Sequence, residues 1–174
     1  MTRWMVVSAL VLTAIFGVAI AVGSRLPADH TATVSAVFPV TVETAWTAVT
    51  DFDGYPLWRS GVDAVERLPD MDGAVAWTET GSAGELTMMI VESSSPGRFV
   101  TSIVGEEAFG GTWTFAITEE RPGSRVTITE DGEVYNAFFR FMARYVIGYE
   151  GTMNSFLEDL GEYLSQQIPV PQAP

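Results

Sequence analysis

Hydrophobic residues recur at every second position through most of this chain and then, from residue 137 onwards, at every third or fourth. Alternation marks half-buried strands, and the longer period marks an amphipathic helix. Thr31–Val40, Val62–Leu68, Val75–Thr80, Glu85–Glu92, Arg98–Val104, Thr112–Thr118 and Arg125–Asp131 therefore read as seven strands. The separators carry turn residues, as in Pro69-Asp70-Met71-Asp72-Gly73 and Arg121-Pro122-Gly123-Ser124. Such short connections suit antiparallel neighbours, because parallel ones need long crossovers.

The 3.6-residue stripe runs through Phe139, Met142, Val146, Tyr149, Met153, Phe156, Leu160 and Tyr163 and predicts one long helix over about 137–166. Thr41 is placed to cap a short helix with Ala45, Trp46, Ala48 and Val49 on its apolar face. A second helical turn is expected at Tyr55-Pro56-Leu57-Trp58-Arg59. The class is α+β: a curved antiparallel sheet of about seven strands wrapped on a long C-terminal helix. A sheet gripping one helix leaves an apolar space between them, and that space is the natural ligand site.

Ahead of this pattern lies a different segment. No residue from Trp4 to Ser24 is charged, and Arg3 and Arg25 flank the run. About 20 apolar residues in a helix span a hydrocarbon core of roughly 30 Å. Residues 1–25 are read as an N-terminal transmembrane anchor. The rival is a cleaved signal peptide, for which Ala19-Ile20-Ala21 resembles the processing site. Arg3 and the terminal amine favour an inside N-terminus while Arg25 opposes them, and the expected placement is a single pass with the domain on the extracytoplasmic side. Residues 26–167 form the one folded domain, and 168–174, with three prolines, are expected to be a disordered tail.

Composition narrows the chemistry. Nine arginines and no lysine face 22 carboxylates, a net charge of −13. So acidic a surface repels phosphate backbones, which argues against nucleic-acid partners. There is no cysteine, so disulfides and thiolate chemistry are excluded. The single histidine, His30, falls in the stretch before the first strand and reads as a solvated linker residue. On that reading, histidine-activated nucleophiles and histidine metal sites are absent, no catalytic residue is assigned, and no cofactor or metal is implied.

The stretch Phe38-Pro39-Val40-Thr41-Val42-Glu43-Thr44-Ala45-Trp46 followed by Asp51-Phe52-Asp53-Gly54-Tyr55-Pro56-Leu57-Trp58 resembles the START-like (SRPBCC) superfamily of polyketide cyclase/dehydrase and lipid-transport proteins. Gly111-Thr112-Trp113-Thr114-Phe115 and the terminal helix with Phe156-Leu157-Glu158-Asp159-Leu160 extend the resemblance over about residues 31–166. It implies a helix-grip fold enclosing a cavity for lipids, sterols, polyketides or other apolar molecules. Activity does not follow, because one fold hosts carriers and enzymes alike.

The candidate cavity residues are Trp58, Trp77, Met88, Trp113, Phe115, Glu130, Tyr135, Met142 and Val146. Met88 shares a face with Leu86 and Ile90, and Glu130 with Val126 and Ile128. A carboxylate among apolar side chains is costly unless paired, so Glu79 and Glu130 either bind a polar ligand group or sit at the wet rim near strand ends, the placement favoured here. The leading expectation is membrane-anchored binding or transport of a hydrophobic, lipid-like small molecule. The alternative is a cyclase or dehydratase working through cavity carboxylates or Tyr135. Ligand entry is expected at the loops around Asp53-Gly54-Tyr55 or Glu106–Gly111. A cavity below about 300 Å³ would be too small for a lipid.

Overall fold

The computed structural model describes residues 2–167; the expected disordered tail lies outside them. Seven strands form one antiparallel sheet in the order β1-β7-β6-β5-β4-β3-β2. They are β1 Asp29–Phe38, β2 Val62–Met71, β3 Ala74–Gly81, β4 Gly84–Ser94, β5 Arg98–Val104, β6 Phe109–Glu120 and β7 Gly123–Val134. β2 to β7 make a meander, and β1 adds to its last strand in the register Val34↔Ile128. Register shifts in β2 and β4 insert extra residues, which bend a sheet and increase its twist.

The return from β1 to β2 is helical. In α2 (Val42–Thr50) the Thr41 side chain accepts from the Thr44 amide at 3.3 Å, as its place before the apolar run predicts. A 3₁₀ turn, Phe52–Leu57, follows. At the other end of the chain, α4 (Gly151–Gln167) lies in the curve of the sheet. Its Met153, Phe156, Leu157, Leu160 and Leu164 recur one turn apart and are all buried. They meet Val49 of α2, Phe99, Phe115 and the fully buried pair Val126 and Ile128.

The continuous helix expected over 137–166 is broken. α3 covers only Ala137–Met142, capped by Asn136, and runs into a π-helical turn at Ala143–Ile147. Gly148 then adopts φ +82°, and its amide donates to the Ala143 carbonyl at 3.0 Å. Such a left-handed residue ends a helix, and glycine takes it without strain. The break turns the first part of the stripe away from the sheet. Phe139, Tyr145, Val146 and Ile147 are exposed, while the second part, from Met153, packs as its periodicity predicts.

The N-terminal segment forms α1, Thr2–Gly23. Its long face is exposed, with Trp4, Leu10, Leu12 and Ile15 all open to the surroundings. Its last two turns are different. They pack on α3, with Ala19 buried and the Phe16 and Phe138 rings 4.8 Å apart. A Cβ at Gly23 would stand 1.8 Å from the Ala137 carbonyl oxygen, so only glycine permits this approach. Arg140 locks the joint by donating to the Leu26 carbonyl at 2.9 Å.

Candidate ligand-binding cavity

Strand pairing determines where the space under the helix lies. Trp77, Met88, Ile103, Gly111, Gly132 and His30 follow one another across the sheet as consecutive partners. The β3–β4 turn and the β5–β6 loop lie at the same end of the sheet. The opposite end is filled by core side chains such as Phe38, Phe99 and Leu164. A cavity of about 660 Å³ occupies the first end. That is well above the roughly 300 Å³ at which small-molecule sites begin.

Its walls are mainly apolar; their polar groups include the carboxylates of Glu79, Glu130, Glu133 and Asp159, of which Glu130 and Glu79 form two hydrogen-bonded stations. Trp77, Met88, Trp113 and Phe115 come from the concave face, Leu86 and Ile103 lie between them, and Phe156 of α4 faces them. Phe115, one same-face position deeper than Trp113, closes the floor against Phe156, their ring centroids 5.2 Å apart.

At the first station Glu130 stands opposite Trp113 in register and accepts its indole N–H at 2.8 Å. The other carboxylate oxygen lies 3.0 Å from His30 Nε2. The His30 ring stacks on Tyr149 at 3.9 Å. It fits because its register partner is Gly132, where a Cβ would be 2.5 Å from the imidazole. His30 Nδ1 is buried and has no hydrogen-bond partner among the described residues.

The second station is built the same way. Glu79 accepts from Trp77 Nε1 at 3.1 Å and from Arg59 at 2.8 Å. The Arg59 guanidinium lies over the Tyr55 and Phe156 rings, 4.6 and 5.0 Å from their centroids. The adjacent Asp159 of α4 accepts from the Ser60 amide and hydroxyl at 2.7 and 2.9 Å, tying the segment before β2 to the helix. Burial pushes the Tyr55 phenol well above its ordinary range, and its hydroxyl donates to the Val49 carbonyl at 2.6 Å. Tyr55 is therefore a neutral structural donor. Among the described residues no three side chains gather into a metal site.

Of the nine residues singled out from the sequence, Trp77, Met88, Trp113, Phe115 and Glu130 line the cavity. Four do not. Trp58 lies off the wall, stacked on Tyr163 at 5.5 Å with its edge against Phe156. Tyr135 is exposed and outside the lining, although its hydroxyl donates at 2.6 Å to Glu133, which borders the cavity. Val146 points outward because the π turn and Gly148 rotate it away, and Met142 lies off the cavity wall on the same diverted segment. Ala143, Ile147 and Gly148 take the places expected for them.

Two further readings change. Glu79 and Glu130 are held in the wall by indole donors, with the Arg59 guanidinium at Glu79 and the His30 imidazole at Glu130, rather than solvated at a rim. His30 is no linker residue, because β1 starts at Asp29 and carries it into the wall. The signal was present in the sequence: His30 has the same parity as Ala32, Val34 and Ala36. Arg59 had no such signal, since it lies outside a regular strand, and Tyr149 was marked only as one member of the helical stripe.

A curved antiparallel sheet closed by a C-terminal helix over an apolar cavity defines a START-like, helix-grip protein. Residues 29–164 match the family described as polyketide cyclase / dehydrase and lipid transport, and the chain belongs to that family. A START superfamily protein from Mycobacterium smegmatis superposes with a TM-score of 0.60 at 16% identity, covering 80% of this chain and 99% of that one. Norcoclaurine synthase from Thalictrum flavum gives 0.61 at 9% identity, covering 79% and 87%. A protein from Mesorhizobium loti gives 0.62 at 13%, covering 80% and 100%. At these identities the likeness is one of fold. No curated protein matches by sequence.

Proposed function

We propose that this protein is a membrane-anchored binding or transport protein for an apolar small molecule that carries a hydrogen-bond-donating polar group such as a hydroxyl. The observation that supports it best is the cavity itself, about 660 Å³ and mainly apolar, with Glu79 and Glu130 held in its wall among the four carboxylates that line it. Burying the ligand's body supplies the driving force, about 0.8 kcal/mol per methylene. Glu79 and Glu130 each present acceptor oxygens that their partners, an indole with a guanidinium and an indole with an imidazole, do not saturate. They favour a donor and disfavour an anionic head. Phe115 and Phe156 receive the apolar end, leaving the polar group level with Glu130.

The anchor is α1, of which Trp4–Gly23 is long and apolar enough to cross a bilayer. Such a helix near an N-terminus also suits a signal sequence, so the mass of the mature protein is the first thing to measure. Native mass spectrometry of the chain in phospholipid nanodiscs then tests the rest. A stoichiometric molecule, released on denaturation and distinct from bulk phospholipid, supports binding. A protein that stays empty, and takes up neither apolar alcohols nor hydrocarbons when they are offered, refutes it.

One observation favours an enzymatic second reading, a cyclase or dehydratase. His30 and Glu130 form a proton-transfer pair inside the cavity, 3.0 Å apart. Conversion of a polyketide-like substrate by the wild type, lost in both Glu130→Gln and His30→Gln with binding retained, would select it.

A further inference from the structure

We infer that residues 137–147 form a lip that dips into the lipid bilayer beside α1, so that the cavity takes its ligand from the membrane rather than from water. The inference rests on the reading of α1 as a membrane anchor and follows from how α1 and α3 pack.

Phe16 of α1 touches Phe138, Ala19 is buried in the same joint, and Gly23 meets Ala137. Phe16 lies seven residues before Gly23, about 10 Å along a helix. If residues 16–23 stood outside the membrane with α3, Trp4–Ile15 alone would have to span it. That piece is about 18 Å long, against roughly 30 Å of hydrocarbon. The packed joint and a full span are compatible only if α3 enters the bilayer with the end of α1.

The side chains of the segment suit that position. Phe139, Tyr145, Val146 and Ile147 project outward, the last 69% exposed. Exposed apolar residues elsewhere in the folded domain, such as Leu57 and Val91, lie on separate elements. A contiguous apolar surface of this kind marks an interaction site. Its chemistry points to lipid. No carboxylate occurs from Val134 to Tyr149 in a chain that has 22 of them. Arg144 is exposed on the same segment and can reach the phosphate level with its stem in the apolar layer.

The same segment borders the cavity. Ala143, Ile147 and Gly148 line it, so Ile147 belongs both to the wall and to the outer surface. Gly148, at φ +82° with nothing within 4 Å of a Cβ position, is where the lip leaves α4. A molecule dissolved among acyl chains thus meets the opening without crossing water. The loops at 53–55 and 106–111 need not open.

The chain contains no cysteine, so single labels can be placed in the full-length protein. Nitroxides at Ile147→Cys, Ile15→Cys and Glu119→Cys, reconstituted in phosphatidylcholine vesicles, report oxygen against nickel-complex accessibility. The three sites are exposed, and a thermal melt of each variant checks folding. The expected result is loss of nickel accessibility at Ile147, as at Ile15, with Glu119 fully accessible to nickel. A nickel-accessible Ile147 together with a lipid-buried Ile15 overturns the lip and leaves the anchor standing. Nickel accessibility at Ile15 overturns both.

Discussion

Removing the Glu130 carboxylate separates its two roles, holding the wall together and receiving the ligand's polar group. In Glu130→Leu, Trp113 Nε1 and His30 Nε2 lose bonds of 2.8 and 3.0 Å. A hydrogen bond to a charged group contributes about 1.5–3 kcal/mol, and an orphaned buried donor costs a similar amount. Both donors border a cavity that water can enter, so the expected cost is near the low end, about 2 kcal/mol in all. For a domain of this size that lowers Tm by roughly 4–8 °C. Glu130→Gln keeps an acceptor for the indole and an amide for the imidazole, so its loss should stay under about 1 kcal/mol. Binding gives the sharper contrast. Quenching of Trp77 and Trp113 fluorescence should report a polyene alcohol binding about 10- to 100-fold more weakly to Glu130→Leu, the loss of one charge-assisted bond. The matching polyene hydrocarbon should bind both proteins alike. If alcohol and hydrocarbon respond equally to both substitutions, Glu130 does not receive the ligand, and the proposed selectivity for donors fails.

Three further outcomes are expected. Gly148→Ala should cost about 1–3 kcal/mol through backbone strain alone, since φ +82° with ψ 163° is a conformation that only glycine adopts readily and a Cβ there meets nothing, and chemical denaturation will show it. Gly23→Val should part α1 from α3, so a short bismaleimide that joins Phe16→Cys to Phe138→Cys in the parent should fail in the triple variant. Tyr55 is raised by burial, so the unfolded chain releases its proton near pH 10 while the folded protein holds it. Stability from this residue is complete below that pH and falls as pH rises above it, and the alkaline slope of Tm should flatten in Tyr55→Phe.

Periodicity made the sheet legible because each strand has one buried face, and a slip by one residue would expose the whole set. Val126 and Ile128 were on the inner face by count, and so were Phe115, opposite Ile128, and Trp113, opposite Glu130. The helix was half legible for a physical reason. A stripe at spacings of three and four records which residues are apolar, not what they face. From Met153 onwards they face the sheet; before Gly148 they face α1 or the exterior. The two glycines at 148 and 151 mark the change, yet a glycine in a helical pattern indicates a weakness without saying that the chain turns there. His30 was misplaced because one polar residue beside a proline-containing linker looks solvated, and its burial depends on a glycine about 100 residues away in sequence.

The same break gives the exposed aromatics a physical rationale. The turn at Gly148 carries Phe139 and Val146 to the outer surface, while Ile147 also borders the cavity. A water-soluble carrier would gain nothing from that exchange, since exposed Phe, Val and Ile favour aggregation. On the proposed function it becomes favourable next to α1, where the same surface would meet acyl chains and the cavity mouth would face the ligand's own solvent. Carboxylates that would repel anionic headgroups are absent from this segment and abundant elsewhere. On the proposed function, anchor, broken helix and cavity mouth form one arrangement, in which a hydroxyl-bearing apolar molecule would pass from the bilayer to the Phe115 floor with its polar group stopping at Glu130.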